Sequence, residues 1–233
     1  MRYLQFCPIA KATEILGERW TILIVRELLM NVSRFNELQR GLGDISPALL
    51  TSRLRSLEKS GLVERRRVTG QRGQEYFPTE ACVALLPAIV ALGEWSFKWT
   101  RHMLTSADLN VDFLLLYLGR SIQPDVFAGR QAVIKFHFTD LSGQRDWWVL
   151  VQDAKVDLCI DDPGRDVNVF VTTTVRTMHD VWMGDRSYRE AVLRGDMVVA
   201  GEPGLTRNIS RWLRPSLFSD SPRGAMPLEH AAA

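Results

Sequence analysis

Cysteine is scarce in this chain: Cys7, Cys82 and Cys159 are odd in number and far apart. That pattern excludes a disulfide framework and any CxxC metal site. Histidine is as sparse, with His102, His137, His179 and His230 scattered singly, so no metal is expected. No apolar run approaches the roughly 18 residues of a membrane span, so no membrane partner is expected. The start, MRYLQFCPIAKATEILGERW, carries charges through every window where a signal peptide needs an unbroken apolar core. The expected compartment is therefore the cytoplasm. A phosphate-binding loop and any nucleophile–base spacing are also missing, so neither an enzyme nor a cofactor is expected.

What is present is length enough for two domains, 233 residues, and an uneven charge. Residues 1–104 hold 15 Lys and Arg against 10 Asp and Glu, whereas residues 105–233 hold 14 against 17. A basic half joined to a slightly acidic one suits a nucleic-acid module attached to something that does not touch nucleic acid. The expected domains are 1–104 and 109–220, joined by the polar linker Thr105-Ser106-Ala107-Asp108. Residues 228–233, Leu-Glu-His followed by three Ala, read as a purification-tag remnant.

The stretch 44–67, DISPALLTSRLRSLEKSGLVERRR, organises the first half. Ser46 and Pro47 read as N-cap and first residue of a helix, and Gly61 as its left-handed stop. Leu50, Leu54 and Leu57 make one apolar stripe, while Ala48, Thr51, Ser52 and Arg55 share a small or hydrogen-bonding face. Small residues let the first turn of a helix sink into the major groove of double-stranded DNA, where Ser, Thr and Arg meet base edges or phosphates.

The flanks fit. Helices over 8–16 and 19–30 come first, the second with a stripe of Trp20, Leu23, Ile24 and Leu28. A third, capped by Ser33 and containing Phe35 and Leu38, leads through the turn 41–44 into the helix at Ser46, a helix-turn-helix order. A strand over 63–68, a turn over 69–74 and a return strand over 75–77 make a wing with Arg72 at its tip. Candidate DNA contacts are Arg34, Ser46, Ala48, Thr51, Ser52, Arg53, Arg55, Arg66 and Arg72.

A long helix over 79–103, bent at Pro87, carries more apolar surface than a small winged domain covers. The economical partner is a second copy, which makes Leu86, Ile89, Leu92, Trp95 and Trp99 candidate homodimer contacts. The alternative cover is the second half of the chain.

Past the linker the pattern turns to alternation. A helix over 111–118 precedes strands over 131–139, 145–151, 155–160 and 167–173, expected as a sheet of about four antiparallel strands. Helices over 175–183 and 188–193, a strand over 197–200 and a helix over 205–213 follow. The fold class is α+β, a sheet with helices laid on one face. Phe136, Trp148, Leu150, Phe170, Met178, Trp182, Met183 and Trp212 are candidates to line an apolar ligand cavity between sheet and helices, or else to fill a core.

Two resemblances sharpen this. Residues 7–95 resemble the HxlR family of winged-helix transcriptional regulators in CPIAKATEILGERW, RFNELQRGLGDISPALLTSRLRSLEKSGLVER, EYFPTE and LLPAIVALGEW. The resemblance implies a dimer on palindromic DNA with the helix from Ser46 in the major groove. The wing looks shorter than usual in the family, with Phe77-Pro78 where Ser-Leu is more usual. Cys7 stands where some members carry an oxidant- or electrophile-sensing cysteine. The second half, VNVFVTTTVRTMHDVWMGDRSYREAVLRGDMVVAGEPGLTRNISRWLRPSLF, is similar to sterol-carrier-protein-like domains. That similarity implies an apolar small-molecule effector. The expected function is a dimeric regulator with such an effector; the alternatives are a thiol switch at Cys7 or a ligand-free interaction module in the second domain.

Overall fold

A computed structural model describes residues 2–67, 73–127 and 129–223. The chain forms two compact units, Met1–Gly93 and Glu94–Ala233.

In the first unit α1 (Pro8–Leu16), α2 (Thr21–Leu29), α3 (Phe35–Leu42) and α4 (Pro47–Lys59) precede the hairpin β1 (Val63–Arg67) and β2 (Gln74–Pro78). Then come α5 (Glu80–Val83) and the start of α6 (Leu86–Trp99), within which the two units divide. The core joins Ile24, Val25 and Leu28 to Leu38, to Leu50, Leu54 and Leu57, and to Cys82.

Three sequence expectations are corrected here. Trp20 has a left-handed backbone (φ 79°) and stands before α2 rather than inside it. Leu23 is correspondingly 38% exposed, and the buried face takes Val25 and Glu27 beside Ile24 and Leu28. Ser33 does not cap α3; the N-cap is Arg34, and the Ser33 carbonyl instead accepts from the Tyr76 N–H at 2.8 Å, tying the entrance of α3 to β2. The long helix is two helices, interrupted at Ala84-Leu85, with a separate 3-10 turn at Arg101–Met103. Pro87 therefore falls in the first turn of α6, where its missing N–H has no helical partner to lose, and it starts a helix instead of bending one.

The second unit holds α7 (Val111–Ser121), a 3-10 turn (Pro124–Phe127), β3 (Ala132–Phe138), β4 (Asp146–Gln152), β5 (Lys155–Cys159) and β6 (Val169–Thr173). It continues with α8 (Val175–Trp182), α9 (Tyr188–Leu193), β7 (Met197–Gly201), α10 (Pro203–Thr206) and α11 (Ile209–Trp212). The helix expected over 205–213 is thus two short ones. The sheet has five strands in the order β5-β4-β3-β6-β7 and is mixed, because β6 pairs parallel to β3. The connection 160–168 makes this possible: at about 3.3 Å per residue it can carry the chain back along the sheet before β6 begins.

Alternation sorts the two faces. Ile134, Phe136, Phe138, Trp147, Val149, Val151, Val169, Val171 and Met197 bury one face in a core shared with residues of α7, α8, α9, α10 and α11. The opposite face carries Lys135, His137, Trp148 and Phe170. Gly201 (φ 122°) lets β7 pass close to β6; a Cβ there would lie 2.2 Å from the Asn168 carbonyl oxygen.

Candidate nucleic-acid interface

Helix α4 is fixed before it meets anything. The Ser46 hydroxyl accepts from the Leu49 N–H at 3.3 Å and Pro47 opens the first turn, while Leu50, Leu54 and Leu57 are at most 1% exposed. Burying three leucines fixes the helix's rotation, each worth about 1.5–3 kcal/mol, so the opposite side must face outward. There lie Ala48, Ser52 and Arg55, all exposed, with Thr51 partly buried and its hydroxyl donating to the Pro47 carbonyl at 2.8 Å. Arg55 has no partner among the described residues, so its guanidinium faces solvent uncommitted.

Two of the arginines marked from sequence hold the fold together. Arg53 pairs with Glu18 at 2.5 Å and donates through Nε to the Arg19 carbonyl at 3.1 Å, fastening α4 to the turn before α2. Arg34 pairs with Glu75 at 3.3 Å across an isolated bridge between the entrance of α3 and β2. Arg66 is 63% exposed, bonded to Glu64 at 2.8 Å and lying 4.8 Å over the Phe77 ring. Arg72 lies outside the described residues.

Sequence reasoning passed over Arg67, the last residue of β1, which is exposed and without a partner among the described residues. Its place at the end of the VERRR run was the available signal. It also passed over the fully buried Glu27, which takes the Arg26 guanidinium at 2.8 Å while Arg26 reaches the Gly41 carbonyl at 3.2 Å. That pair links α2 to the end of α3 and so sets the turn ahead of α4.

The candidate dimer residues divide. Leu86, Leu92 and Trp95 are 46%, 50% and 57% exposed, while Ile89 packs partly on the core of the first unit. Trp99 is partly buried, with the Lys98 ammonium 4.7 Å over its ring. Leu4, Phe6 and Ile9, before and within α1, are exposed as well. Cys7 is half-exposed at the N-cap of α1, whereas Cys82 is fully buried and its thiol is pushed up by burial.

The eight residues expected around one apolar cavity divide between different parts of the second unit. Phe136, Met178 and Trp212 are fully buried in the core under the helices, and the Trp212 indole donates to the Leu205 carbonyl. Trp182 stacks on Tyr117 at 5.7 Å and donates to Ser121 Oγ, joining α8 to α7, and Met183 caps α8. Trp148, Leu150 and Phe170 point to the opposite face of the sheet, because register pairs Trp148 and Phe170 with Lys135. Period-two alternation, applied to β3 but not carried across to β4 and β6, would have separated them.

Residues 15–104 match the HxlR-like helix-turn-helix family. YvaP of Bacillus subtilis, an HTH-type transcriptional regulator, is 35% identical over 101 residues that cover 42% of this chain and 94% of that protein. This chain belongs to the HxlR-like helix-turn-helix family. An HTH-type transcriptional regulator of Mycobacterium tuberculosis is 44% identical over 92 residues, 39% of this chain; the match spans 58% of that relative's length. Among solved structures, the reduced form of the transcriptional regulator YodB from B. subtilis is 32% identical, covering 40% of this chain and 92% of that one, with a TM-score of 0.35. These relatives are named as regulators, not as enzymes. The HxlR-like match ends where the linker begins.

Proposed function

We propose that this HxlR-like protein is a cytoplasmic, sequence-specific DNA-binding transcriptional regulator that acts as a homodimer on a palindromic operator. The observation that carries the reading is α4: a capped helix locked by three buried leucines that presents Ala48, Ser52 and Arg55 outward. Beside it on β1 the Arg67 side chain, exposed and without a partner among the described residues, is available to a phosphate, while Arg65 is paired to Glu58 of α4 at 3.4 Å and Arg66 to Glu64 at 2.8 Å.

The exposed apolar residues of α6 and of the segment around α1 support the dimer, since a surface of that kind calls for a partner. By length and composition the stretch Glu80–Trp99 would also cross a membrane. Its first half argues for the dimer instead: Cys82, Leu85 and Ile89 pack into the core beside α4, and Thr79 Oγ1 donates to the Gly61 carbonyl at 2.7 Å. The order β6, α8, a turn at Gly184, α9, β7 supports reading the second unit as a sterol-carrier-protein-like sandwich. An apolar effector, expected from that likeness, would need a site other than one ring of those eight residues, because Phe136, Met178 and Trp212 are core while Trp148, Leu150 and Phe170 lie on the opposite face of the sheet.

Selection of bound fragments from a random DNA pool, followed by titration of the enriched site at several salt concentrations, tests the proposal. An inverted-repeat site whose affinity falls steeply with salt supports it. A pool that enriches nothing, or affinity equal for all sequences, overturns it.

A further inference from the structure

The five-stranded sheet ends on two unlike edges. β5 carries Lys155 and Asp157, both exposed, and charged side chains on an edge strand discourage further pairing. β7 reads Met197-Val198-Val199-Ala200-Gly201, with no charge, no proline and an unbroken register. Among the described residues it pairs on one side only, with β6.

The backbone groups on that free edge can be assigned. The Thr173 carbonyl accepts from the Thr139 N–H, on the β3 side, whereas the Asn168 carbonyl accepts from the Glu202 N–H, on the β7 side. Strand alternation therefore turns Phe170 and Thr172 toward Ala200 and Val198, and it leaves the N–H and C=O groups of Met197 and Val199 directed off the sheet. No turn or loop among the described residues takes them up. The side chains beside this edge are apolar: Val198 is 55% exposed, Phe170 is exposed on the same face, and α9, which leads into β7, ends in the exposed Val192 and Leu193.

Charge selects the occupant. The charged residues flanking β7 are Arg194 and Asp196 before it and Glu202 after it. Asp196 Oδ2 is taken by Arg186 at 2.8 Å and by Arg194 Nε at 3.3 Å, and Glu202 Oε1 by Arg130 at 2.8 Å. Uncommitted among the described residues are the terminal nitrogens of Arg194, Glu202 Oε2 and Asp196 Oδ1. Two β7 strands paired antiparallel about Val198 set Arg194 of each toward Glu202 of the other and Asp196 opposite Ala200. Pairing about Val199 would set Asp196 against Glu202, like charges at both ends. A foreign strand would have to supply both charges at this spacing, whereas a second copy already has them, and two-fold symmetry makes each contact twice.

We propose that β7 pairs antiparallel with β7 of a second copy of this chain, about a two-fold axis at Val198, joining the two sheets edge to edge. The Val198 side chains meet in a non-hydrogen-bonded pair, the closer of the two kinds, with Cα atoms about 4.5 Å apart. So short an edge buries less than the roughly 1,200 Å² of a stable interface, so the contact is weak alone and gains from any other contact that holds two copies together. It is distinct from the contact proposed for α6 and does not depend on the DNA-binding reading.

The test is oxidative crosslinking of the full-length chain carrying Cys7→Ser and Cys159→Ser, with the fully buried Cys82 left in place. Val198→Cys should form an intermolecular disulfide, since Cα atoms about 4.5 Å apart lie within the span of that bond. Ala200→Cys, exposed two residues on along the same face, and Leu217→Cys, 69% exposed elsewhere in the unit, are the controls. Val198→Cys should outpace both by at least about tenfold, because pairing raises the local thiol concentration. Adding Arg194→Glu should slow it about threefold or more at low salt, by facing like charges across the pair. Equal rates at the three positions, faster crosslinking between mixed Val198→Cys and Ala200→Cys chains than in either alone, or a rate untouched by Arg194→Glu overturns the proposal. The α6 contact is judged separately, by sedimentation of Leu92→Asp, so either interface can fail without the other.

Discussion

Arg53 of α4 lies 2.5 Å from Glu18 and so holds that helix to the turn that precedes α2. Arg55, two residues on, has no such tie and faces outward. The two should therefore respond differently. Arg55→Ala is expected to lower affinity for the preferred site by about 1–3 kcal/mol while sparing other sequences, with the melting temperature unchanged. Arg53→Ala is expected to lower the melting temperature and to weaken all sequences alike. Parallel melts and anisotropy titrations on specific and scrambled DNA read both.

Thr79 is bonded twice at the foot of the wing. Its hydroxyl donates to the Gly61 carbonyl at 2.7 Å and accepts from the Cys82 N–H at 3.3 Å, serving the end of one helix and the start of another. Thr79→Val keeps the shape and removes both bonds. The expected loss is about 1–2 kcal/mol, in the upper range for an N-cap, read as a lower thermal midpoint; Thr79→Ser should recover most of it.

The dimer proposal predicts a mass change. Leu92→Asp places a charge among exposed apolar residues of α6, and Trp95→Ala removes the 57%-exposed indole. Each is expected to shift the protein toward monomer in sedimentation velocity and to weaken operator binding, since one half-site supplies only part of the phosphate contacts. A sedimentation profile identical to wild type would remove α6 from the interface.

Stability should fall in acid, and the sign follows from three carboxyls. Burial pushes Asp146 up, but the bonds from His137 and Lys135 outweigh it and hold the group below its ordinary value of 3.8. Hydrogen bonds from Thr105 lower Asp108, and those from Ser187 lower Glu190. A carboxyl whose folded pKa lies below its unfolded one adds stability above the unfolded value and loses it as pH falls through the folded one. Melts are expected to be level between pH 7 and 5 with respect to these groups, and to decline below about pH 4. Asp146→Asn should flatten part of that decline.

The elements of the first unit were legible because its signals are local. A Ser-Pro cap, a leucine stripe and a Gly stop each act within one or two turns, and α4 forms where they place it. What escaped the sequence depends on partners distant in the chain. Arg53 looks like any basic residue on a DNA-facing helix until Glu18 is beside it, and Ser33 looks like a cap until Tyr76 takes its carbonyl. The mixed sheet was missed for the same reason: nothing in the alternation of 167–173 says whether that strand lies beside β5 or beyond β3. The apolar-cavity residues were pooled by chemistry, while the pleat assigns Trp148 and Trp147 to opposite sides.

The parallel pairing of β3 with β6 also orders events in time. β3, β4 and β5 are joined by short turns and can zip within microseconds, but the second edge of β3 waits until residues some thirty-five positions later in the chain arrive as β6. During synthesis that edge stands open with Ile134, Phe136 and Phe138 beside it, an apolar template for any other extended chain. Refolding yield should therefore fall with protein concentration, and substitutions in β6 should act mainly on the rate at which the sheet closes.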